Sequence, residues 1–74
     1  MKIIFSNHAK NQNKSRKIPR RLILETIQNP RKTLPSFRNR QLRQKPFGGK
    51  ILEVVVVKKG RIITVITQYW LEKD

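Results

Sequence analysis

Two β-branched runs near the C-terminus, Lys50 to Val57 and Arg61 to Trp70, are separated only by Lys58-Lys59-Gly60. That spacing restricts the chain to folds built on a long antiparallel hairpin, with Gly60 supplying the positive φ of a tight turn. Under strict alternation, Ile62, Thr64, Ile66, Gln68 and Trp70 share one face of the second run, and Ile63, Val65, Thr67 and Tyr69 the other. In the first run Leu52, Val54 and Val56 alternate with Ile51, Glu53, Val55 and Val57. Both runs are largely apolar on both sides, as central strands are. One face is expected to receive helices and the other to curl over a basic hairpin.

The rest of the chain supplies those partners. Lys2 to Phe5 forms a short first strand, ended by Ser6-Asn7, either of which can cap a helix opened by His8. The segment from Ala9 to Ser15 has almost no apolar face, and its Asn and Ser residues favour turns, so this first helix is expected to be weak or frayed. A second helix is better marked: Pro19 suits a first helical turn, and Leu22, Ile23 and Ile27 recur one turn apart with Leu24 widening the stripe. It should end at Asn29-Pro30. From Arg31 to Pro46 the chain is polar and basic, which predicts an edge hairpin turning near Arg38-Asn39-Arg40, with Pro35 on an edge or a bulge. Phe47-Gly48-Gly49 is a turn. The expected architecture is α+β: a short N-terminal strand, two helices, then an antiparallel curved sheet of three to four strands, all in one domain over residues 1–74.

Chains near 60 residues bury only about 60% of their unfolded surface, so one modest core is all that this length provides. Cysteine is absent, which removes disulfides and thiolate metal sites as reinforcements. No apolar run approaches the roughly 18 residues of a membrane span, and the first five residues are too short for a signal-peptide core. A cytoplasmic protein with no membrane association is expected. Eighteen Lys and Arg face four Asp and Glu, a formal net charge of +14, and no acid precedes Glu25 or lies between Glu25 and Glu53. The expected partner is a polyanion, RNA above all, because phosphates give sequence-independent affinity through counterion release. A solvated surface or a ribosome-associated structural role would use the same charge.

One His and four scattered acids, two of them among the last three residues, offer no metal-ligand cluster and no obvious carboxylate pair. Gly48-Gly49 is an isolated turn rather than a phosphate loop, so neither metal nor cofactor is expected. Metal-free RNA cleavage remains within the chain's chemistry. His8 has an unperturbed pKa near neutrality and is the candidate base; Arg16, with Arg43, can clamp phosphate oxygens; Tyr69 can donate a proton or stack on a base. Each has a plainer alternative: a helix-start imidazole bonded to backbone, helix-terminal or interchangeable cations, and a core aromatic, since Tyr69 and Trp70 alternate. The non-catalytic alternative is a basic nucleic-acid binder in which Arg31, Lys32, Arg38, Arg40, Arg43 and Lys45 line a groove and Phe37 or Trp70 stacks on bases. No oligomeric state is specified by the residues.

The chain also resembles a family of short bacterial and archaeal proteins of unassigned function placed near the RelE and BrnT toxins. The likeness rests on His8-Ala9 after the first strand, Arg16 and Ile18 eight and ten residues beyond His8, the helix end at Asn29-Pro30, and the valine-rich strand pair closing in Val65-Ile66-Thr67-Gln68-Tyr69. Two positions depart from the family pattern: Gln12 stands where a second Arg is common, and Lys17 where glycine is usual. Both changes weaken the first helix and its turn. The resemblance implies a RelE-like fold and a type II toxin acting as a metal-independent endoribonuclease, with ribosome-bound mRNA as a candidate substrate and an acidic antitoxin as its partner.

Overall fold

The computed structural model describes residues 1–71. The elements run β1 (Lys2–Phe5), α1 (Asn7–Arg16), α2 (Arg20–Gln28), β2 (Lys32–Pro35), β3 (Arg40–Phe47), β4 (Lys50–Lys59) and β5 (Ile62–Leu71). The fold is α+β, with both helices on one face of a sheet ordered β1-β5-β4-β3-β2. β2 to β5 form an antiparallel meander, and β1 joins the same sheet parallel to β5. The sheet is therefore mixed and five-stranded, where three to four antiparallel strands were expected. A four-residue first strand can take an edge because α1 and α2 provide the crossover that a parallel pair needs. No helix among the described residues is long and apolar enough to cross a membrane.

The core lies between the helices and the central strands. Ile23 and Ile27 of α2 meet Leu52, Val54 and Val56 of β4 and Ile63 and Val65 of β5, all nearly fully buried. Helix α1 is not frayed. It contributes little apolar surface, with only Ala9 buried, and is held instead by polar contacts. Ser6 caps it, its Oγ accepting from the Ala9 amide at 3.1 Å and donating to the Ile66 carbonyl at 3.3 Å. Buried Gln68 donates from Nε2 to the Ala9 carbonyl at 3.0 Å. At the far end, the Asn13 amide group closes two 3.0 Å bonds to the Ile18 backbone, tying α1 to the start of α2. Lys17 ends the helix at φ 50, ψ 42, the left-handed conformation that glycine adopts most readily.

All three hairpin turns lie where the residues predict them. Gly60 takes φ 57 between β4 and β5, Gly48 and Gly49 take φ 55 and 87 between β3 and β4, and Arg38 and Asn39 each take φ 59 between β2 and β3. Alternation along β5 is not strict, however. Val55 pairs with Thr67 and Val56 with Val65, so Ile66 is an extra residue, a β-bulge. Beyond it the faces exchange. Gln68 and Trp70 join Ile63 and Val65 on the helix side, and Tyr69 joins Ile62, Thr64 and Thr67 on the other. Trp70 accordingly packs against the core, its ring edge-on to Phe47 at 6.3 Å.

Candidate functional site

The face of the sheet away from the helices carries a row of polar groups perpendicular to its strands. In the strand register Lys32 is opposite Gln44, Gln44 opposite Glu53, and Glu53 opposite Tyr69. Tyr69 donates its hydroxyl to Glu53 Oε2, and Gln44 donates from Nε2 to Glu53 Oε1 at 2.6 Å. Glu53 is only 6% exposed, so its carboxylate is held behind Tyr69 rather than offered to water. From the end of α1, Arg16 reaches across the β5 edge. Its Nη1 donates to Thr67 Oγ1 at 3.1 Å and to the Gln68 carbonyl at 3.0 Å, and its guanidinium lies 5.8 Å from the centre of the Tyr69 ring. Burial, then the bond to Glu53 and its negative charge, push the Tyr69 hydroxyl up to about 12, with Arg16 pulling weakly the other way. The phenol is thus neutral at physiological pH, with a proton acceptor on one side and a cation on the other.

A family model described as a domain of unknown function, DUF4258, matches residues 5–70. The chain belongs to the DUF4258 family. No curated protein and no solved structure matches it. The matched span of this DUF4258 chain takes in Arg16, Gln44, Glu53 and Tyr69.

Of the three residues singled out for catalysis, the structure brings together Arg16 and Tyr69 but not His8. His8 is exposed in the first turn of α1. It is separated from Arg16 by eight residues, about 12 Å along the helix axis at 1.5 Å per residue. The group standing beside Tyr69 is Glu53, which sequence spacing did not reveal because its partners, Gln44 and Tyr69, come from two other strands. Its signal was a lone acid inside an apolar central strand, a placement that requires a partner.

The six cations expected to line one groove divide into three groups. Arg38 and Arg40 lie at the β2–β3 turn, where Phe37 is 73% exposed. Arg31 and Lys32 lie at the opposite end of β2. Arg43 and Lys45 belong to the helix side of β3 and are engaged there, which corrects their assignment to the groove. Arg43 donates to the Ile27 carbonyl at 2.6 Å and to Gln41 Oε1, and Lys45 donates to the Asn29 carbonyl at 3.1 Å and pairs with Glu25 at 2.6 Å. The physical reason is the C-terminus of α2, which has no basic residue in its own last turn and draws cations from the neighbouring strand to its free carbonyls. Lys45 also holds the Glu25 carboxyl below the usual carboxylate value by its hydrogen bond and its charge. Trp70, packed on the core, is not free to stack on a base, whereas Phe37 is exposed.

Among the described residues no group of three or more His, Cys, Asp or Glu side chains converges. Both acids of those residues are engaged internally, Glu25 by Lys45 and Glu53 by Tyr69 and Gln44. The surface they leave is overwhelmingly cationic.

Proposed function

We propose that this protein binds RNA on the open face of its sheet and cleaves it without a metal ion, using Tyr69, Glu53 and Arg16. The observation that carries the reading is the convergence of a neutral phenol, a shielded carboxylate and a guanidinium on one face of a domain with net charge +14. In the proposed step the Tyr69 oxygen takes the proton of the ribose 2′-OH as its own proton passes to Glu53. The 2′-oxygen attacks phosphorus, Arg16 stabilises the charge on the phosphorane, and the P–O5′ bond breaks. The leaving 5′-oxygen takes a proton from water, and Glu53 returns its proton to the hydroxide so formed. The products are a 2′,3′-cyclic phosphate and a free 5′-OH. Arg31, Lys32, Arg38 and Arg40 supply phosphate contacts and Phe37 a stacking surface. Glu53 replaces His8 in the base's part. The RelE-like label and a toxin role restrained by an acidic antitoxin, with ribosome-bound mRNA as substrate, belong to the same proposal and rest on the sequence resemblance.

The test is cleavage of RNA alone and on translating ribosomes in the presence of a chelator. Tyr69→Phe and Glu53→Gln should each lower the rate by about 10² to 10⁴, the usual range for loss of general acid–base chemistry, while His8→Ala leaves it unchanged. A 2′-deoxy substrate should survive. Cleavage of that substrate, or an unaffected Tyr69→Phe, overturns the mechanism. Binding without cleavage, with a log–log salt slope of about −0.7 per neutralised phosphate, would replace it with the non-catalytic binder.

A further inference from the structure

β2 pairs with β3 only from Gln41 to Gln44, so the last residues of β3 continue past it without a partner on that side. A cavity of about 500 Å³ opens at this corner of the sheet, within the roughly 300–1,000 Å³ range of small-molecule clefts. Its lining has two chemistries. Pro46 and Ile51 supply apolar surface, and Arg31, Lys32 and Lys50 supply cations that are exposed and form no salt bridge among the described residues. Lys45 also lines it, but its ammonium is committed to Glu25 and Asn29. The remaining polar group, Gln44, joins the corner to the row described above, since its side chain donates to Glu53. With strands about 4.8 Å apart, Gln44 is about 10 Å from Tyr69 across the sheet, so a strand with its scissile phosphate at Arg16 and Tyr69 brings a neighbouring nucleotide to this corner.

We infer that the corner cleft is a nucleotide subsite, holding the base of that neighbouring nucleotide against Pro46 and Ile51 and its phosphate between Arg31, Lys32 and Lys50. The inference rests on the RNA-binding reading of the open face and adds to it a position and a direction of travel across the strands. Because the Gln44 amide is already donating to Glu53, the subsite has few free groups with which to read a base edge. It should hold nucleotides with little sequence preference.

The experiment is an NMR titration of the full chain, ¹⁵N-labelled, at low salt with a ribonucleoside 5′-monophosphate and, separately, with inorganic phosphate. It is run on the wild type and on Tyr69→Phe so that binding is measured apart from cleavage. The nucleotide should shift the amides of Gln44, Gly49, Lys50 and Ile51, and should bind at least tenfold more tightly than phosphate. Arg31→Ala/Lys32→Ala/Lys50→Ala should weaken nucleotide binding at least tenfold. Lys58→Ala/Lys59→Ala/Arg61→Ala, which removes the same charge from the far end of the β4–β5 hairpin, should weaken it by less than threefold. Equal losses from the two triple variants, or shifts spread over the whole cationic surface, overturn the subsite. Phosphate binding as tightly as the nucleotide overturns the base contact on Pro46 and Ile51. Nucleotide bound at the corner by a protein that cleaves no RNA supports the subsite while ending the ribonuclease reading, and cleavage without nucleotide binding does the reverse.

Discussion

Replacing Glu53 with Gln tests the electrostatics of the open face directly, because the chain has a single tyrosine and its ionisation can be followed by absorbance without ambiguity. Tyr69 is pushed up to about 12 from an ordinary 10.0 by burial, by the hydrogen bond to Glu53 and by the charge of Glu53, in that order. The substitution removes the charge and leaves a neutral acceptor, so Tyr69 should titrate below 12 but stay above 10, where burial alone keeps it. At 1.36 kcal/mol for each pH unit, the full separation from 10 to 12 corresponds to about 2.7 kcal/mol. Tyr69 is only half-buried, and screening reduces this to about 1 kcal/mol, of which Glu53 supplies a part. The sign for stability follows from the raised folded value. The contribution is complete below pH 10 and is lost as pH rises from 10 toward 12, so wild-type unfolding free energy should fall across that window more steeply than that of Glu53→Gln. Arg16→Met should move Tyr69 the opposite way, further up, because it deletes the one group pulling it down. An unchanged or higher titration midpoint in Glu53→Gln would refute the coupling and with it the proton relay.

Three further outcomes are expected. Lys17→Gly should stabilise the protein, since the left-handed conformation at φ 50 costs a non-glycine residue roughly 1–2 kcal/mol while glycine's extra chain entropy takes back about 0.5–1 kcal/mol; a net gain near 0.5–1 kcal/mol should raise the melting temperature by about 3–6 °C by calorimetry. Ser6→Ala should cost about 1 kcal/mol in urea unfolding, because it deletes the cap of a helix with little apolar anchorage. The lowered carboxyl of Glu25 makes its contribution complete above the ordinary value of 4.5 and lost as pH falls through the lower folded value, so Glu25→Gln should flatten the acid limb of the stability profile relative to wild type.

What the sequence disclosed follows from how local each signal is. The strands β4 and β5, the three hairpin turns and helix α2 are written in alternation, glycine and asparagine placement, and a one-turn apolar stripe, all of which act over a few residues. Helix α1 was undervalued because its stability comes from Ser6, Asn13 and Gln68, whose partners only the folded chain supplies. The candidate site was half legible. Arg16 and Tyr69 are conspicuous by type, but Glu53 becomes meaningful only once β3, β4 and β5 set Gln44, Glu53 and Tyr69 in one row. Arg43 and Lys45 are indistinguishable by composition from the cations around them, and their engagement at the end of α2 is a property of the packed structure alone.

The extra residue at Ile66 gives the two halves of β5 opposite parity. Whether position 69 presents its side chain outward or inward is therefore decided by whether Ile66 is accommodated as a bulge, not by which residue stands at 69. Losing the bulge with every residue kept would return the end of the strand to simple alternation, sending the phenol toward the helices and the indole to the open face, whereas deleting Ile66 would leave Val65 followed directly by Thr67 and keep Tyr69 outward. Homologous chains one residue shorter here should thus keep an outward tyrosine without a bulge, and those of equal length should keep it only where the bulge is kept.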